Sequence, residues 1–255
     1  MLALRSLIFN VAFYFVLISL LIIGLPALLF DRFAVFALAR TWSRASLWLL
    51  RVICGTRIEF RGVENIPPGA CIVAPKHQSI LDVFAFFPFF PDFTFILKKE
   101  LTYIPLFGWY LKRGELTAID RTQGASALTQ AKVRASENLA QGRQIILYPE
   151  GTRRPPGAPP SYKYGIALIY ADNKVPCLPV AHNAGMFWGR RMFLRRPGTI
   201  LFEFLPPIEP GLDARAFYQR LQDDLENATN RLIAESLARD PSLATTLAKP
   251  EPAPA

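Results

Sequence analysis

At 255 residues the chain has room for one large domain or two small ones with a sizeable core. It is 51% hydrophobic and only 19% charged, against roughly 25% charged in an ordinary soluble domain, so the composition predicts contact with lipid. A formal charge of +9 asks for a negative partner, and the hydrophobicity favours an anionic bilayer or a phosphorylated molecule. Nucleic acid ranks last, because no helix-turn-helix, zinc or RNA-binding signature accompanies the charge. The three cysteines, Cys54, Cys71 and Cys177, show no CxxC or Cys/His spacing, which predicts neither a disulfide framework nor a metal site and fits a reducing compartment.

In chain order, Ser6 to Phe30 carries no charge, and about 20 apolar residues suffice to cross a hydrocarbon core. The run is too long for a signal peptide and lacks its small-residue exit, so it is expected to be retained. The next block sets Arg32, Arg40, Arg44 and Arg51 among Phe33, Phe36, Trp42 and Trp48, the pattern of an interfacial helix. Gly24 and Pro26 leave open a re-entrant two-helix hairpin as well as a spanning helix. Residues 1–55 are thus expected to be a membrane-anchoring helical region.

After Gly55, short apolar runs alternate with helical stretches. RIEFRGV, ACIVAPK, FTFILKK, ELTAIDR, QIILYPE, VPCLPVAHN and TILFEFL read as strands. SILDVFAFFPFF, IPLFGWYLK, ASALTQAKVRASENLAQG and YKYGIALIYADN read as helices between them, with Gly142 stopping the third. The alternation predicts an α/β domain over residues 56–238, a layered mixed sheet flanked by helices. Phe217, Leu221, Leu225, Leu232 and Ile233 mark a packed amphipathic helix near its end, and residues 239–255, ending in LAKPEPAPA, are expected to be a disordered tail.

Three places could carry chemistry. In KHQSILD, His77 and Asp82 would lie about 140° apart on a continuous helix, so they meet only if His77 stays on a loop and Asp82 enters the helix. A carboxylate on one imidazole nitrogen fixes the tautomer and leaves the other nitrogen to accept a hydroxyl proton; a core histidine and a helix-terminal aspartate are the structural alternative. YPEGTRR places a tight turn and two forked donors, Arg153 and Arg154, at a strand exit, the geometry suited to a phosphate. RGELTAIDR ends a further strand in Arg121, with Lys98, Lys99 and Arg113 before it, an anion site if these cations converge on one sheet edge. His182, in the proline-bearing VPCLPVAHN, reads as a satisfied structural residue.

Taken in order, KHQSILD, LKKEL leading to GELTAIDR, YPEGTRR and VPCLPV resemble the boxes of the glycerolipid acyltransferases, specifically the 1-acylglycerol-3-phosphate O-acyltransferase family; they cover Ala74 to Val180. The resemblance implies His77 as base and Asp82 as its partner, with Lys98, Lys99, Arg121, Glu150, Gly151, Thr152 and Arg153 in the acceptor site. It implies no cofactor or metal, acyl-CoA or acyl carrier protein as donor, and a lysophospholipid acceptor. The positive-inside rule puts the arginine-rich side of a spanning helix in the cytoplasm, so the catalytic domain is expected on the cytoplasmic side of the inner or another cytoplasm-facing membrane. Other acceptors, such as a lyso-ornithine lipid, or a non-catalytic membrane-binding role, are the alternatives. Two positions depart from the family pattern: Lys76 stands where Asn is usual and Arg154 where Ser is usual, and both are expected to add positive charge near the site.

Overall fold

The computed structural model describes residues 1–120, 122 and 124–248. Its centre is a seven-stranded mixed sheet: β1 (Thr56–Arg61), β2 (Cys71–Pro75), β3 (Phe93–Lys98), β4 (Thr117–Ile119), β5 (Gln144–Ile146), β6 (Cys177–His182) and β7 (Gly198–Phe204), in the spatial order β1-β7-β6-β2-β5-β3-β4. Every pairing is parallel except β6 with β7, which turns β7 and its parallel neighbour β1 against the rest. Each of the seven expected strand segments supplies one strand.

Central strand β2 shows why the sheet is covered on both faces. All five of its residues are buried, and successive side chains leave opposite faces. Cys71 and Val73 join an aromatic core with Phe9, Phe13, Phe84 and Phe202, whereas Ile72 and Ala74 join Leu139, Ile166, Tyr170, Phe217 and Leu221. The second layer is built by α5 (Ala125–Ala140), α6 (Gly165–Asp172) and α7 (Ala214–Arg239). Asp213 caps α7 through the Arg215 and Ala216 amides, and Phe217, Leu221 and Leu225 recur at four-residue spacing on its buried face.

The aromatic layer is completed from the amino-terminal end. There α1 (Leu2–Ile23) and α2 (Arg32–Leu49) form a hairpin, with Asp31 capping α2. Residues 1–55 do not form a separate core, because Phe9, Phe13, Phe36, Leu50 and Cys54 belong to the same cluster as the sheet. Helix α1 is held along its length: Ser6 Oγ accepts from the Arg195 amide at 2.8 Å, Asn10 Oδ1 accepts from the Arg195 guanidinium at 2.8 Å, and the Tyr110 hydroxyl donates to Leu21 O at 2.7 Å. Its outer face exposes Leu4, Leu7, Val11, Phe15, Ile18 and Ile22, a continuous helical stripe. Two of the four arginines expected at lipid headgroups instead bind the body: Arg32 makes a forked pair with Asp92 at 3.0 and 2.8 Å, and Arg40 donates to Pro91 O at 2.6 Å.

Two expectations are corrected. SILDVFAFFPFF gives only one helical turn, α3 (Leu81–Phe84), followed by turns; Pro88 disfavours the helical conformation at Phe87 and cannot supply a helical amide donor. The chain beyond Arg239 is not a tail at once, since Pro241–Thr246 form a short helix that buries Leu243, and the Ala248 amide reaches Pro156 O at 2.8 Å. Residues 249–255 of the expected tail lie outside the described residues. The expected helix IPLFGWYLK is α4 (Phe107–Arg113).

Phe13 packs against Trp42, Trp188 and Phe84 with ring centroids 5.4, 5.6 and 5.8 Å apart, so it is the apolar rivet of the hairpin. Phe13→Ala is expected to destabilise the detergent-solubilised protein by about 3–5 kcal/mol, read as a lower thermal midpoint by circular dichroism.

Candidate active site

The Lys76 amide extends the β2 ladder by donating to Val180 O at 3.0 Å, and the chain then leaves the sheet as a loop. The turn is folded around one carboxylate. Asp82, with no exposed surface, accepts from the Gln78 and Ser79 amides at 2.7 and 2.8 Å through Oδ2, and its Oδ1 lies 2.9 Å from His77 Nδ1. A carboxylate only accepts, so Nδ1 carries the proton and Nε2 is the basic nitrogen. The loop-to-helix arrangement brings together two side chains that a continuous helix would separate.

The main chain of His77 is clamped from both sides. Its N–H donates to Glu150 Oε2 at 3.0 Å, and its carbonyl accepts from the Arg154 amide at 2.8 Å. The imidazole face stacks on Tyr148, with centroids 4.0 Å apart and planes at 26°, and the Tyr148 hydroxyl donates to Asp82 O at 3.0 Å. Burial and the nearby Asp82 charge push the Tyr148 phenol well above its ordinary pKa, so it remains a neutral donor. Sequence reasoning overlooked Tyr148; the signal was an aromatic at the strand exit one residue before Pro-Glu-Gly.

His77 lines a cleft of about 570 Å³. Its walls are mostly apolar, with Leu17 and Leu21 from α1, Phe36 and Trp42 from α2, and Phe95 from β3; among the described residues, the lysine and arginine side chains of its lining are Lys98, Arg153 and Arg190. Of the aromatic runs, Phe84, Phe87 and Phe107 line the cleft, whereas Phe86 and Phe90 are core. Gly151 and Thr152 also line it, and Gly151 takes a left-handed φ of 66°, which the tight turn after β5 requires. Arg190, on the loop after β6, donates to Arg153 O at 3.4 Å and was not marked by any motif.

Other expected site residues do not converge there. Lys99 is exposed and outside the cleft lining. Arg121 lies outside the described residues. Glu150, expected in the acceptor site, is 2% exposed, does not line the cleft, and binds the His77 amide and the Lys76 ammonium. The two family departures also add no charge to the cleft lining. Lys76 is buried among Glu150, Glu226 and Tyr162, and the Arg154 guanidinium donates to Pro159 O.

His182 supports the loop from below. Its Nε2–H donates to Lys76 O at 2.8 Å, 3.4 Å from Asp82 Oδ2, and its Nδ1 accepts from the Ala184 amide at 3.3 Å. Complete burial depresses its pKa despite the opposing pull of Asp82. A depressed folded pKa means that the unfolded chain binds the extra proton, so this contribution to stability is fully present above about pH 6.5 and declines below it. The fall in thermal midpoint between pH 7 and pH 5 is therefore expected to be shallower in His182→Asn than in the unaltered protein.

Comparison with protein-family models matches residues 57–183 to the Acyltransferase family. The chain is 35% identical over 213 residues to a 1-acyl-sn-glycerol-3-phosphate acyltransferase of Pseudomonas aeruginosa, covering 84% of this chain and 81% of that one. It is 30% identical over 171 residues to a chloroplastic 1-acyl-sn-glycerol-3-phosphate acyltransferase of Brassica napus, covering 65% of this chain and 48% of the relative. The fold matches the crystal structure of the 1-acyl-sn-glycerophosphate (LPA) acyltransferase PlsC from Thermotoga maritima with a TM-score of 0.76 and 24% identity, over 92% of this chain and 98% of that one. A sheet-borne His/Asp pair in an apolar cleft and kinship across most of the chain lead to one conclusion: the chain belongs to the 1-acyl-sn-glycerol-3-phosphate acyltransferase family.

Proposed function

We propose that the protein transfers a fatty acyl group from a thioester, acyl-CoA or acyl carrier protein, to the free hydroxyl of 1-acylglycerol 3-phosphate, giving phosphatidic acid. The observation that carries this reading is the imidazole of His77, oriented by Asp82, in the wall of an apolar cleft. His77 Nε2 takes the hydroxyl proton as the oxygen attacks the thioester carbonyl, and Asp82 stabilises the imidazolium. The oxygen–carbon bond forms, the carbon–sulfur bond breaks, and the departing thiolate recovers the proton. Holding hydroxyl and carbonyl against one imidazole supplies much of the advantage, because association entropy is lost on binding and not in the chemical step.

A lysolipid keeps its chain apolar and its phosphate wet, and the cleft has both kinds of surface. Arg153 brings a planar fork to its cationic lining, with Lys98 and Arg190 as further positive charges. The burial of Lys76 and the engagement of Arg154 remove the reason for preferring another acceptor.

Membrane association fits the exposed apolar stripe of α1, a 22-residue helix containing an 18-residue stretch of mean hydropathy 2.5. The helix is long enough to cross a bilayer. However, contacts with the body run from Ser6 to Leu21, about 22 Å along its axis, and favour a hairpin lying in one leaflet. In that pose the cleft meets the headgroup layer, and exposed Arg44 and Arg51 would each add about 1 kcal/mol on an anionic surface. The cytoplasmic leaflet supplies both that charge and the thioester donor.

His77→Ala is expected to abolish acyl transfer to 1-acylglycerol 3-phosphate with circular dichroism unchanged; near-normal turnover would remove the base assignment. Arg153→Ala is expected mainly to raise KM for this acceptor, by about tenfold for loss of one charge-assisted bond. An unchanged KM would place the phosphate elsewhere.

A further inference from the structure

On the side of the His77 loop away from the cleft lies a second set of charges. Lys76 is 4% exposed, and its Nζ lies 2.9 Å from Glu150 Oε1, 2.7 Å from Glu226 Oε1 and 3.4 Å from the Tyr162 hydroxyl. Glu226 comes from α7, 150 positions along the chain from Lys76. The Tyr162 hydroxyl donates to the same Glu226 oxygen at 2.7 Å, and the ammonium lies 5.2 Å from the Tyr162 ring centroid. Glu150 turns its other oxygen to the His77 amide at 3.0 Å. One connected path therefore runs from α7 through Glu226, Lys76 and Glu150 to the main chain of His77.

We propose that Lys76 and Glu226 are positioning residues for acyl transfer, holding Glu150 as an oriented carboxylate so that the His77 loop keeps its catalytic register. The proposal rests on the assignment of His77 as the base. Glu150 is almost fully buried, and a buried carboxylate persists only when paired and hydrogen-bonded. The Lys76 ammonium supplies that pairing at Oε1, which fixes the rotamer and leaves Oε2 on the amide. The lysine stem is flexible, and its main chain is already tied by Val180 O and His182, so only its far end remains to be located. Glu226 locates it from a helix whose buried face is packed on the sheet. Without the ammonium, the Glu150 and Glu226 carboxylates repel each other, Glu150 loses its fixed rotamer, and the His77 amide loses its anchor. A shift of a fraction of an ångström at the base is enough to spoil alignment with the hydroxyl.

The test uses the full-length enzyme in lysolipid/detergent micelles, with 1-acylglycerol 3-phosphate and an acyl thioester. The variants are Lys76→Met, Glu226→Gln, the double variant and His77→Ala, each assayed where circular dichroism shows it folded. Lys76→Met is expected to lower kcat about 10- to 100-fold and Glu226→Gln at least about threefold, with KM for both substrates held within about twofold. The double variant should be no slower than Lys76→Met alone, because both residues act through one carboxylate. Smaller losses in kcat, a loss expressed in KM, or multiplicative losses in the double variant would overturn the proposal. Should Lys76→Met not fold, Glu226→Gln decides by the same kcat threshold and KM limit. His77→Ala separates the two readings: if it retains turnover, the base assignment fails, whereas an inactive His77→Ala beside unimpaired Lys76 and Glu226 variants defeats only the positioning role.

Discussion

Asp82 has no exposed surface, so the protein must replace the water that an ionised carboxylate would otherwise hold. It does so with two amides of its own loop and the imidazole of His77. Each bond to a buried charge is worth about 1.5–3 kcal/mol, and the three bonds together dictate the path of residues 77–82. The loop cannot relax without stranding a charge. The same constraint that folds the turn also selects the His77 tautomer, so local stability and the capacity for general-base chemistry have one origin.

Around this turn the fold brings supports from distant segments. The exit of β5 provides Tyr148 for the imidazole face and Glu150 for the His77 amide, and the end of β6 provides His182 for the preceding carbonyl. These segments converge because β2 lies between β5 and β6 in parallel register, which puts all three carboxyl-terminal strand ends at one edge. Sites in α/β sheets gather at that edge for this reason. Buried polar groups there are satisfied by one another, and such networks are rigid when complete.

The amino-terminal hairpin adds the cleft wall that the sheet lacks. Leu17 and Leu21 face the cleft, while Leu7, Val11 and Ile18 face outward from the same helix. Removing the hairpin would strip both the wall and the apolar outer face. Arg195, buried against Trp188 and bound to Asn10, fastens it at a cost visible in its pKa, which burial lowers to about 10. The cleft wall and the exposed apolar stripe are thus opposite sides of one element.

The alternation of apolar runs made the seven strands legible, because strand periodicity and the bounding glycines and prolines are local properties. The four ordered boxes likewise marked the loop with His77 and Asp82 and the turn with Gly151 to Arg153. The helix expected over SILDVFAFFPFF is a single turn, since aromatic burial without helical periodicity satisfies turns equally well. The directions of Glu150 and Lys76 were not legible. Their charges pointed to substrate in the linear reading, but their partners lie 74 and 150 positions apart in sequence, and only close packing of β2, β5 and α7 made pairing cheaper than hydration. By itself the sequence determined the strand and helix segments, the lipid-seeking amino terminus and the His/Asp spacing, all set by side-chain chemistry over a few residues. Tertiary structure alone decided which charges face the cleft and which lie buried behind it, and that α1 lies against the body, because those outcomes depend on contacts between segments distant along the chain.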